Sequence, residues 1–426
     1  MKRPFNTHAL RSFLILLPFV FVGVESLSFE RRVNHDVPSD SQLIQFQPCS
    51  EIPYTVPMFV SPEWIGDART TTSNTIGPGP LGIMSKRGNK SDIKGSGKTT
   101  SKVRRAIITT HGVNRDPNTA YSDFSDLKDA EVEMLISPGF FIAAEDKSNP
   151  FFDPGRNLGW ADSNAWVGGS DAVTPLATRC STYDAYDSIL ERLSDRSIYP
   201  ELREVIFAAH SDGAAFLLRY SLLFPSRNDK DRDRRFKVRF VAANSPTSLY
   251  FGPERPEESD EDAGLLCPDF DRYPYGLEGT LPRYVQERMG DKVELFEKWI
   301  EQDLITLQGT LDTFSRSRIG DQSCSARSQG GENRRDRGYA YFAYRNLLAG
   351  TDSPEARDYY GYSQLDSQVK PIIKKERGRR RAFHHRNCVV SGVGHHAIEM
   401  YESQCGRAAI KGLRSLPRGS PPLRPP

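Results

Sequence analysis

The chain has 426 residues, 37% of them hydrophobic, and its 57 lysines and arginines nearly balance its 55 aspartates and glutamates. A chain of this length accommodates one large domain or two ordinary ones with a sizeable core. The balanced charge gives no general attraction to nucleic acid, so the composition excludes binding of nucleic acid through overall charge.

The first 26 residues are typical of a secretory signal peptide. Basic residues precede an apolar run over residues 13–24, and small residues lie at the positions that a signal peptidase requires. The run is too short to cross a bilayer comfortably. We therefore expect a signal peptide over residues 1–26, a secreted protein and no stable membrane span; an uncleaved anchor is the alternative.

All six cysteines follow this segment, at Cys49, Cys180, Cys267, Cys324, Cys388 and Cys405. An even number in an oxidising compartment predicts up to three disulfides, although the sequence does not choose among the possible pairings. Isolated buried thiols are the alternative. The sequon Asn89-Lys90-Ser91 predicts a glycoprotein.

Residues 27–102 form a weakly patterned N-terminal region, in which residues 66–102 have the composition of an exposed loop. A short β-branched run over residues 106–110 then predicts a strand that ends at His111-Gly112. A sharp turn there would direct a backbone N–H, that of Val113, toward a developing oxyanion. An ordinary turn after a buried strand is the alternative.

The next elements alternate between helix and strand. The pattern predicts a helix over residues 121–127, a strand over residues 132–138, and a helix that begins after the capping residue Ser181. The irregular segment 139–169 between them contains Trp160 and Trp166, which either line a cleft or pack the loop down. A strand beginning at Val205 completes a β-α-β alternation, so parallel strands are expected.

The run from Val205 to Ala215 ends a strand abruptly in Ser211 and begins a helix. Small residues stand two places before and two places after the serine, at Ala209 and Gly213, as a strained strand-to-helix turn requires. Such a nucleophile elbow exposes the serine hydroxyl and leaves the N–H of Asp212 at a helix N-terminus, where it can stabilise an oxyanion. A serine that merely caps a helix is the alternative.

Two further strands lead to polar side chains. After a strand over residues 238–243 and an aromatic segment 267–277 that we expect in a cap, a strand at residues 304–307 ends close to Asp312. A strand from Cys388 ends in a glycine loop that carries His395, and a helix follows from residue 397. Because parallel sheets place their sites at the carboxyl ends of strands, these side chains are expected near Ser211.

The three residues suit an acyl-transfer site: Ser211 as nucleophile, His395 as base and Asp312 as the acid that orients the base. Asp352 is the alternative acid, and His396 the alternative base. A structural role for His395 also remains open. The four histidines His384, His385, His395 and His396 lack the glutamate or cysteine spacing of a zinc site, so we expect no metal.

The sequence resembles the α/β-hydrolase superfamily and, more closely, a poorly characterised group of mostly secreted hydrolases from lower eukaryotes. The resemblance covers residues 103–405, and its motifs are His111-Gly112, the segment around Trp160 and Trp166, Ala209 to Gly213 with Arg219-Tyr220, Asn244-Ser245-Pro246, Cys267-Pro268 with Tyr275-Gly276-Leu277, Gly309 to Thr313, Cys324, Gln329-Gly330, Asn333-Arg334, Arg337-Gly338 and Gly392 to His395. It implies the same nucleophile, acid and base.

The sequence departs from the family pattern in three places. Ala209 stands where the elbow usually has glycine, and Asp212 adds a charge that would slow chemistry if it points inward. Residues 345–387, with a basic run over 374–381, are interpreted as an insertion in the domain 103–405, a solvated loop rather than a binding patch. The proline-rich tail 406–426 is expected to be disordered.

These patterns predict an α/β-hydrolase fold with a mostly parallel central sheet, helices on both faces and loop or cap insertions. The predicted function is a secreted serine hydrolase of the esterase type, acting on a small-molecule or polymeric ester without a cofactor. Its oxyanion donors are the amides of Val113 and Asp212, supported by the loop at His111 and Gly112. A catalytically inactive binding protein on the same scaffold is the alternative, and the oligomeric state stays open.

Overall fold

The computed structural model describes residues 36–64, 70–72, 102–129, 131–224, 236–256, 267–313, 321–351, 354–373 and 383–413. Several predictions fall outside these ranges: the signal peptide, the sequon at Asn89, the alternative acid Asp352, the basic run 374–381 and most of the C-terminal tail.

A sheet of nine strands has the order β11-β10-β9-β8-β4-β5-β2-β1-β3, and β6 and β7 pair separately. The strands are β1 Gln42–Phe46, β2 Val56–Val60, β3 Thr70–Thr72, β4 Arg105–Thr110, β5 Glu133–Pro138, β6 Phe141–Ile142, β7 Gly159–Trp160, β8 Glu204–His210, β9 Lys237–Ala243, β10 Asp303–Gly309 and β11 Arg386–Val390. Neighbouring strands are parallel from β11 to β5. The remaining pairs, β5 with β2, β2 with β1 and β1 with β3, are antiparallel.

Helices connect and cover these strands. They are α1 Pro117–Ser125, α2 Ser163–Val167, α3 Thr182–Ser194, α4 Asp212–Leu223, α5 Arg283–Met289, α6 Lys292–Ile300, α7 Cys324–Arg327, α8 Arg334–Ala349, α9 Tyr362–Gln368, α10 Ala397–Glu402 and α11 Gln404–Ile410. At the start of α3, Ser181 and Asp184 form the capping box that the sequence indicates.

The sheet is buried on both faces, which explains why its strands read as apolar runs rather than as alternating patterns. Along β8, Val205 and Phe207 join one apolar cluster and Ile206 and Ala208 join the other. Residues of α3, α4, α5, α6 and α8 pack in the first cluster, and those of α1, α10 and α11 in the second. The predicted fold class, a mostly parallel sheet with helices on both faces, is confirmed.

Elements of the structure cross three of the boundaries expected from the sequence, and one of them is α11, which runs through residue 406, where the disordered tail is expected to begin. The weakly patterned N-terminal region supplies β1 and β2, which pair antiparallel at one side of the sheet, so the sheet extends beyond the predicted start at residue 103. Helix α8 runs through residue 345, where the predicted insertion begins. The sequence did not reveal the place of β1 and β2 in the sheet, because it comes from pairing with each other and with β5 rather than from a local pattern.

The six cysteines form three disulfides, Cys49–Cys180, Cys267–Cys324 and Cys388–Cys405. The second joins the predicted cap segment to α7, and the third joins β11 to α11. Trp160 and Trp166 are both fully buried, so they pack their loop down. Among the helices of the described ranges, none has the length and apolar character needed to cross a membrane.

Candidate active site

The turn between β8 and α4 holds Ser211 in a left-handed backbone conformation, with φ 60° and ψ −130°. A Cβ atom added to Gly213 would lie 2.5 Å from the carbonyl oxygen of Thr110 and 2.6 Å from that of His111. It would also lie 3.0 Å from the Cβ of Ala209. Glycine is therefore required two residues after the serine, at 213, whereas alanine suffices two residues before it, at 209.

The structure brings together the three side chains that the sequence selects. Nε2 of His395 lies 2.9 Å from Oγ of Ser211, and its Nδ1 lies 3.0 Å from Oδ2 of Asp312. Because an ionised carboxylate only accepts hydrogen bonds, Nδ1 of His395 carries the proton and Nε2 accepts from the serine hydroxyl. This arrangement can move a proton from the hydroxyl to the imidazole.

Two loops at the carboxyl edge of the sheet set this geometry. The loop after β10 carries the acid, and the loop after β11 carries the histidine. The amide of Leu311 donates to the carbonyl of Val393 over 2.9 Å, and the amide of Gly392 donates to Oγ1 of Thr310 over 2.9 Å. A Cβ atom on Gly309 would lie 2.4 Å from the Val393 oxygen. Close packing of these loops therefore depends on glycine at 309.

The surroundings favour the neutral form of His395 and the ionised form of Asp312. Burial lowers the pKa of His395 below its ordinary value, and Arg334 adds to this effect, whereas Asp312 opposes it. Burial alone would raise the pKa of Asp312, but the hydrogen bond from His395 and the charge of Arg334 outweigh it and leave that pKa below its ordinary value. At neutral pH, His395 is therefore able to accept a proton.

Arg334, to which the sequence analysis gives no role, binds the acid. Its Nε lies 3.0 Å from Oδ1 and 3.2 Å from Oδ2 of Asp312, and its Nη2 lies 2.7 Å from Oδ1. Arg334 is the first residue of α8, where the helix dipole disfavours a cation. The contact with the carboxylate of Asp312 compensates for this cost.

Asn244 is a second residue whose role the sequence does not reveal. It follows β9 with φ 49°, a conformation that asparagine tolerates. Its Oδ1 accepts from the amide of Gly309 over 2.9 Å, and its Nδ2 donates to the carbonyl of Gly394 over 3.0 Å. The same Nδ2 lies 3.3 Å from Nε2 of His210, whose ring packs against His395 at 4.3 Å between centroids. One side chain thus links the ends of three strands.

The loop after β4 faces the serine from the other side. A Cβ atom on Gly112 would lie 3.4 Å from the Cβ and 3.8 Å from the Oγ of Ser211. Nε2 of buried His111 accepts from the amide of Phe140 over 2.8 Å, and its Nδ1 lies 2.9 Å from the carbonyl of Gly112. Nη1 of Arg115 donates to the carbonyl of Val113 over 2.9 Å. These contacts fix the loop beside the elbow.

Asp212 is only 8% exposed. Burial, aided by the nearby charge of Asp321, raises the pKa of Asp212 to about 6. Above that pH, Asp212 adds a negative charge next to the serine, which would oppose an oxyanion if the carboxylate points inward.

The remaining histidines of the sequence analysis lie in other environments. Nδ1 of His384 contacts the carbonyl of Glu301 over 2.9 Å. His385 is buried against Trp299 and Arg345. His396 is the residue before α10. Within the described ranges, no group of three or more histidine, cysteine, aspartate or glutamate side chains is arranged to hold a metal ion.

No protein-family model matches the chain, and neither does any curated protein. Among solved structures, it is similar to a poly(aspartic acid) hydrolase from Sphingomonas sp. KT-1, with a TM-score of 0.49 and 14% identity over 86% of this chain and 96% of that one. It is also similar to a poly(3-hydroxybutyrate) depolymerase from Bordetella parapertussis, with a TM-score of 0.49 and 14% identity over 88% and 90% of the two chains. An S-formylglutathione hydrolase from Agrobacterium tumefaciens has a TM-score of 0.40 and 10% identity, over 90% and 96%. At these identities, function has to be inferred from the chain's own side chains.

Proposed function

We propose that this protein is a serine hydrolase that cleaves a carboxylic ester through an acyl-enzyme. The observation that carries the proposal is the continuous contact from Ser211 through His395 to Asp312, at 2.9 Å and 3.0 Å. The ester, rather than a peptide, is proposed by analogy with the α/β-hydrolase superfamily.

In the proposed reaction, Oγ of Ser211 attacks the ester carbonyl while Nε2 of His395 takes the hydroxyl proton. Asp312 stabilises the imidazolium, and the amides of Val113 and Asp212 donate to the oxyanion. The tetrahedral intermediate collapses as His395 returns the proton to the departing alcohol. Water then adds to the acyl-enzyme by the same route, so that the carboxylic acid leaves and the serine hydroxyl is regenerated.

Exposed apolar side chains on the catalytic loops favour a substrate with an apolar group. Val113 is 41% exposed, Leu311 59% and Ile398 51%. Val113 lies next to Gly112, Leu311 precedes the acid, and Ile398 lies at the start of the helix after the histidine loop. An acyl chain that covers them would gain hydrophobic free energy.

The test is labelling with a fluorophosphonate probe, followed by intact mass measurement. We expect one adduct per wild-type chain, and none in Ser211→Ala, because only an activated serine reacts. Ser245→Ala is the matched control, since Ser245 also follows a strand but donates its hydroxyl hydrogen bond to the carbonyl of Thr247. Labelling that persists in Ser211→Ala refutes the nucleophile, and an unlabelled wild type favours the non-catalytic binding protein.

We also propose that the protein follows the secretory pathway. Three disulfides among the described residues are typical of an oxidising compartment. Expression of the full chain in eukaryotic cells should give medium-borne protein that lacks the first 26 residues and is sensitive to N-glycan removal. Retention in the cytosol with free thiols would contradict this.

A further inference from the structure

The start of α8 holds the loop that carries the proposed acid. The amide of Arg335 donates to the backbone carbonyl of Asp312 over 3.2 Å, and its Nη1 donates to the carbonyl of Thr310 over 3.1 Å. Arg334 meanwhile binds the carboxylate of Asp312 through both Nε and Nη2. The backbone and the side chain of the acid are therefore fixed by the same helix end.

Nε of Arg334 contacts both oxygens of this carboxylate, at 3.0 Å from Oδ1 and 3.2 Å from Oδ2. Oδ1 of Asp312 accepts from Nη2 of Arg334 over 2.7 Å, and Oδ2 accepts from Nδ1 of His395 over 3.0 Å. A guanidinium fork fixes the plane of a carboxylate as well as its position. With that plane fixed, Oδ2 is directed at the imidazole.

The ion pair of Arg334 and Asp312 is buried, so neither charge is stabilised by water. The side chains of Arg334 and Asp312 are 1% and 0% exposed, and an isolated carboxylate there would be strongly disfavoured. While His395 is neutral, the guanidinium is the cation that balances Asp312. The same cation opposes protonation of His395, so it adjusts the pH at which the base becomes available.

We propose that Arg334 is a positioning residue for the proposed hydrolase site, which acts through Asp312 by holding that carboxylate ionised and directed at His395. The inference rests on the proposed function, because it concerns the efficiency of that reaction. A merely structural ion pair would predict lost stability without a change in the pH dependence of the reaction.

The experiment measures the rate of fluorophosphonate labelling of Ser211 against pH, in wild type, Arg334→Met and Arg334→Lys. We expect Arg334→Met to react about 10- to 100-fold more slowly, as is typical when a supporting residue is lost. The midpoint of its acid limb should move to higher pH, because a cation facing His395 is gone. Arg334→Lys should restore the midpoint without restoring the full rate.

Other groups facing His395 need to remain constant. They are His210 at the end of β8 and His396 next in the chain. Asp212, which follows Ser211, is also left unchanged because its pKa is raised to about 6. Arg345→Met is the matched control: Arg345 is also a buried arginine of α8, but it contacts His385 and Thr306. We expect its labelling rate and midpoint to equal those of wild type.

A double-mutant comparison tests whether Arg334 acts through the acid. In an Asp312→Asn background, Arg334→Met should lower the labelling rate by less than about threefold, since the carboxylate is already absent. The proposal is overturned if the two losses multiply, if the acid limb of Arg334→Met is unchanged or lowered, or if its rate stays within twofold of wild type. Thermal unfolding checks that each variant is folded, and Arg334→Lys carries the test if Arg334→Met is not. A wild type that does not react overturns the proposed function itself.

Discussion

Two similar groups of side chains lie along the same pair of elements, α8 and β10, one just beyond the carboxyl end of β10 and the other within the strand. The rim set consists of Arg334, Asp312 and His395, and the buried set consists of Arg345, Thr306 and His385. Each has an arginine from α8, a residue in or just after β10, and a histidine next to β11. The rim set has a carboxylate where the buried set has a threonine.

The contacts of the two sets place the proton on different nitrogens of the histidine. In the buried set, Nη1 of Arg345 lies 3.2 Å from Nδ1 of His385, and a guanidinium only donates. Nδ1 of His385 therefore accepts, and Nε2 carries the proton toward the carbonyl of Trp299 at 2.9 Å. In the rim set, the carboxylate accepts the hydrogen bond from the protonated Nδ1 of His395. Nε2 is then unprotonated and can accept the hydrogen bond from the hydroxyl of Ser211.

The electrostatic consequence follows the same division. Burial and the charge of Arg345 lower the pKa of His385 well below its ordinary value, and burial lowers the pKa of Arg345 to about 10. No carboxylate contacts Arg345 among the residues that the structure describes. In the rim set, a carboxylate lies between the arginine and the histidine. In the buried set, the arginine contacts both the threonine and the histidine directly, and the histidine is kept neutral.

The largest expected effect comes from removing that carboxylate. Asp312→Asn should lower kcat for ester hydrolysis by about 10⁴-fold, because the amide no longer selects the tautomer with a proton on Nδ1 of His395. Steady-state kinetics with p-nitrophenyl acetate measure it. Retention of more than a tenth of wild-type kcat would show that Asp312 is not the acid, and would make Asp352 the residue to test.

The matched change in the buried set is Thr306→Val. It removes hydrogen bonds to Asn387 and Arg345 without changing volume, so we expect a loss of about 1–3 kcal/mol in the free energy of unfolding. The value of kcat should stay within about twofold of wild type. A large loss of kcat in the folded variant would contradict the separation of the two sets.

The pH dependence of hydrolysis is the next test. Since the neutral form of His395 is the proposed base and its pKa is lowered, kcat/KM should rise with pH and reach half its maximum below the ordinary histidine value of about 6.5. A midpoint at or above that value would contradict it. Asp212, with its pKa raised to about 6, titrates in the same range, so the limb must persist in Asp212→Asn.

The buried set should reveal itself in stability rather than in rate. Because the folded-state pKa of His385 is depressed, the unfolded chain binds the extra proton below pH of about 6.5. The free energy of unfolding is therefore unaffected by His385 above that pH. It falls by up to about 1.4 kcal/mol per pH unit as the pH decreases from there toward the folded-state pKa. In His385→Gln, the free energy of unfolding should vary less with pH between about 5 and 7. The same pH dependence in wild type and His385→Gln would show that the pKa of His385 is not lowered by folding.

The sequence predicts Asp312 and His395 of the rim set, together with Ser211, because these three residues follow strand ends. Ser211, Asp312 and His395 each come just after an apolar run, and parallel strands bring such positions to one edge. Their order along the chain and the small residues around Ser211 are local signals. The local pattern was therefore sufficient to select all three side chains that the structure brings together.

The contacts that orient these side chains could not be predicted in the same way. Arg334 reaches Asp312 only because α8 folds back over β10, and Asn244 acts by bridging loops that are far apart in sequence. The roles of His385 and Arg345 depend on burial, which a polar stretch of sequence does not indicate. Strands β1 and β2 escaped prediction because their place in the sheet comes from pairing with distant partners.

The smallest expected effect comes from the exposed apolar side chain of Leu311. Leu311, 59% exposed beside the acid, should contact an acyl chain, so Leu311→Ser should lower kcat/KM for an octanoate ester by about fivefold, which corresponds to about 1 kcal/mol of apolar contact. Hydrolysis of the acetate ester, whose acyl group has a single methyl to bury, should change less than twofold. Leu413→Ser is the control, because Leu413 is similarly exposed but follows Gly412, which lies near Glu204 at the amino end of β8. Equal losses for both esters would mean that Leu311 supports the acid loop instead of the substrate, whereas a loss confined to the longer chain would tie the exposed apolar surface to binding.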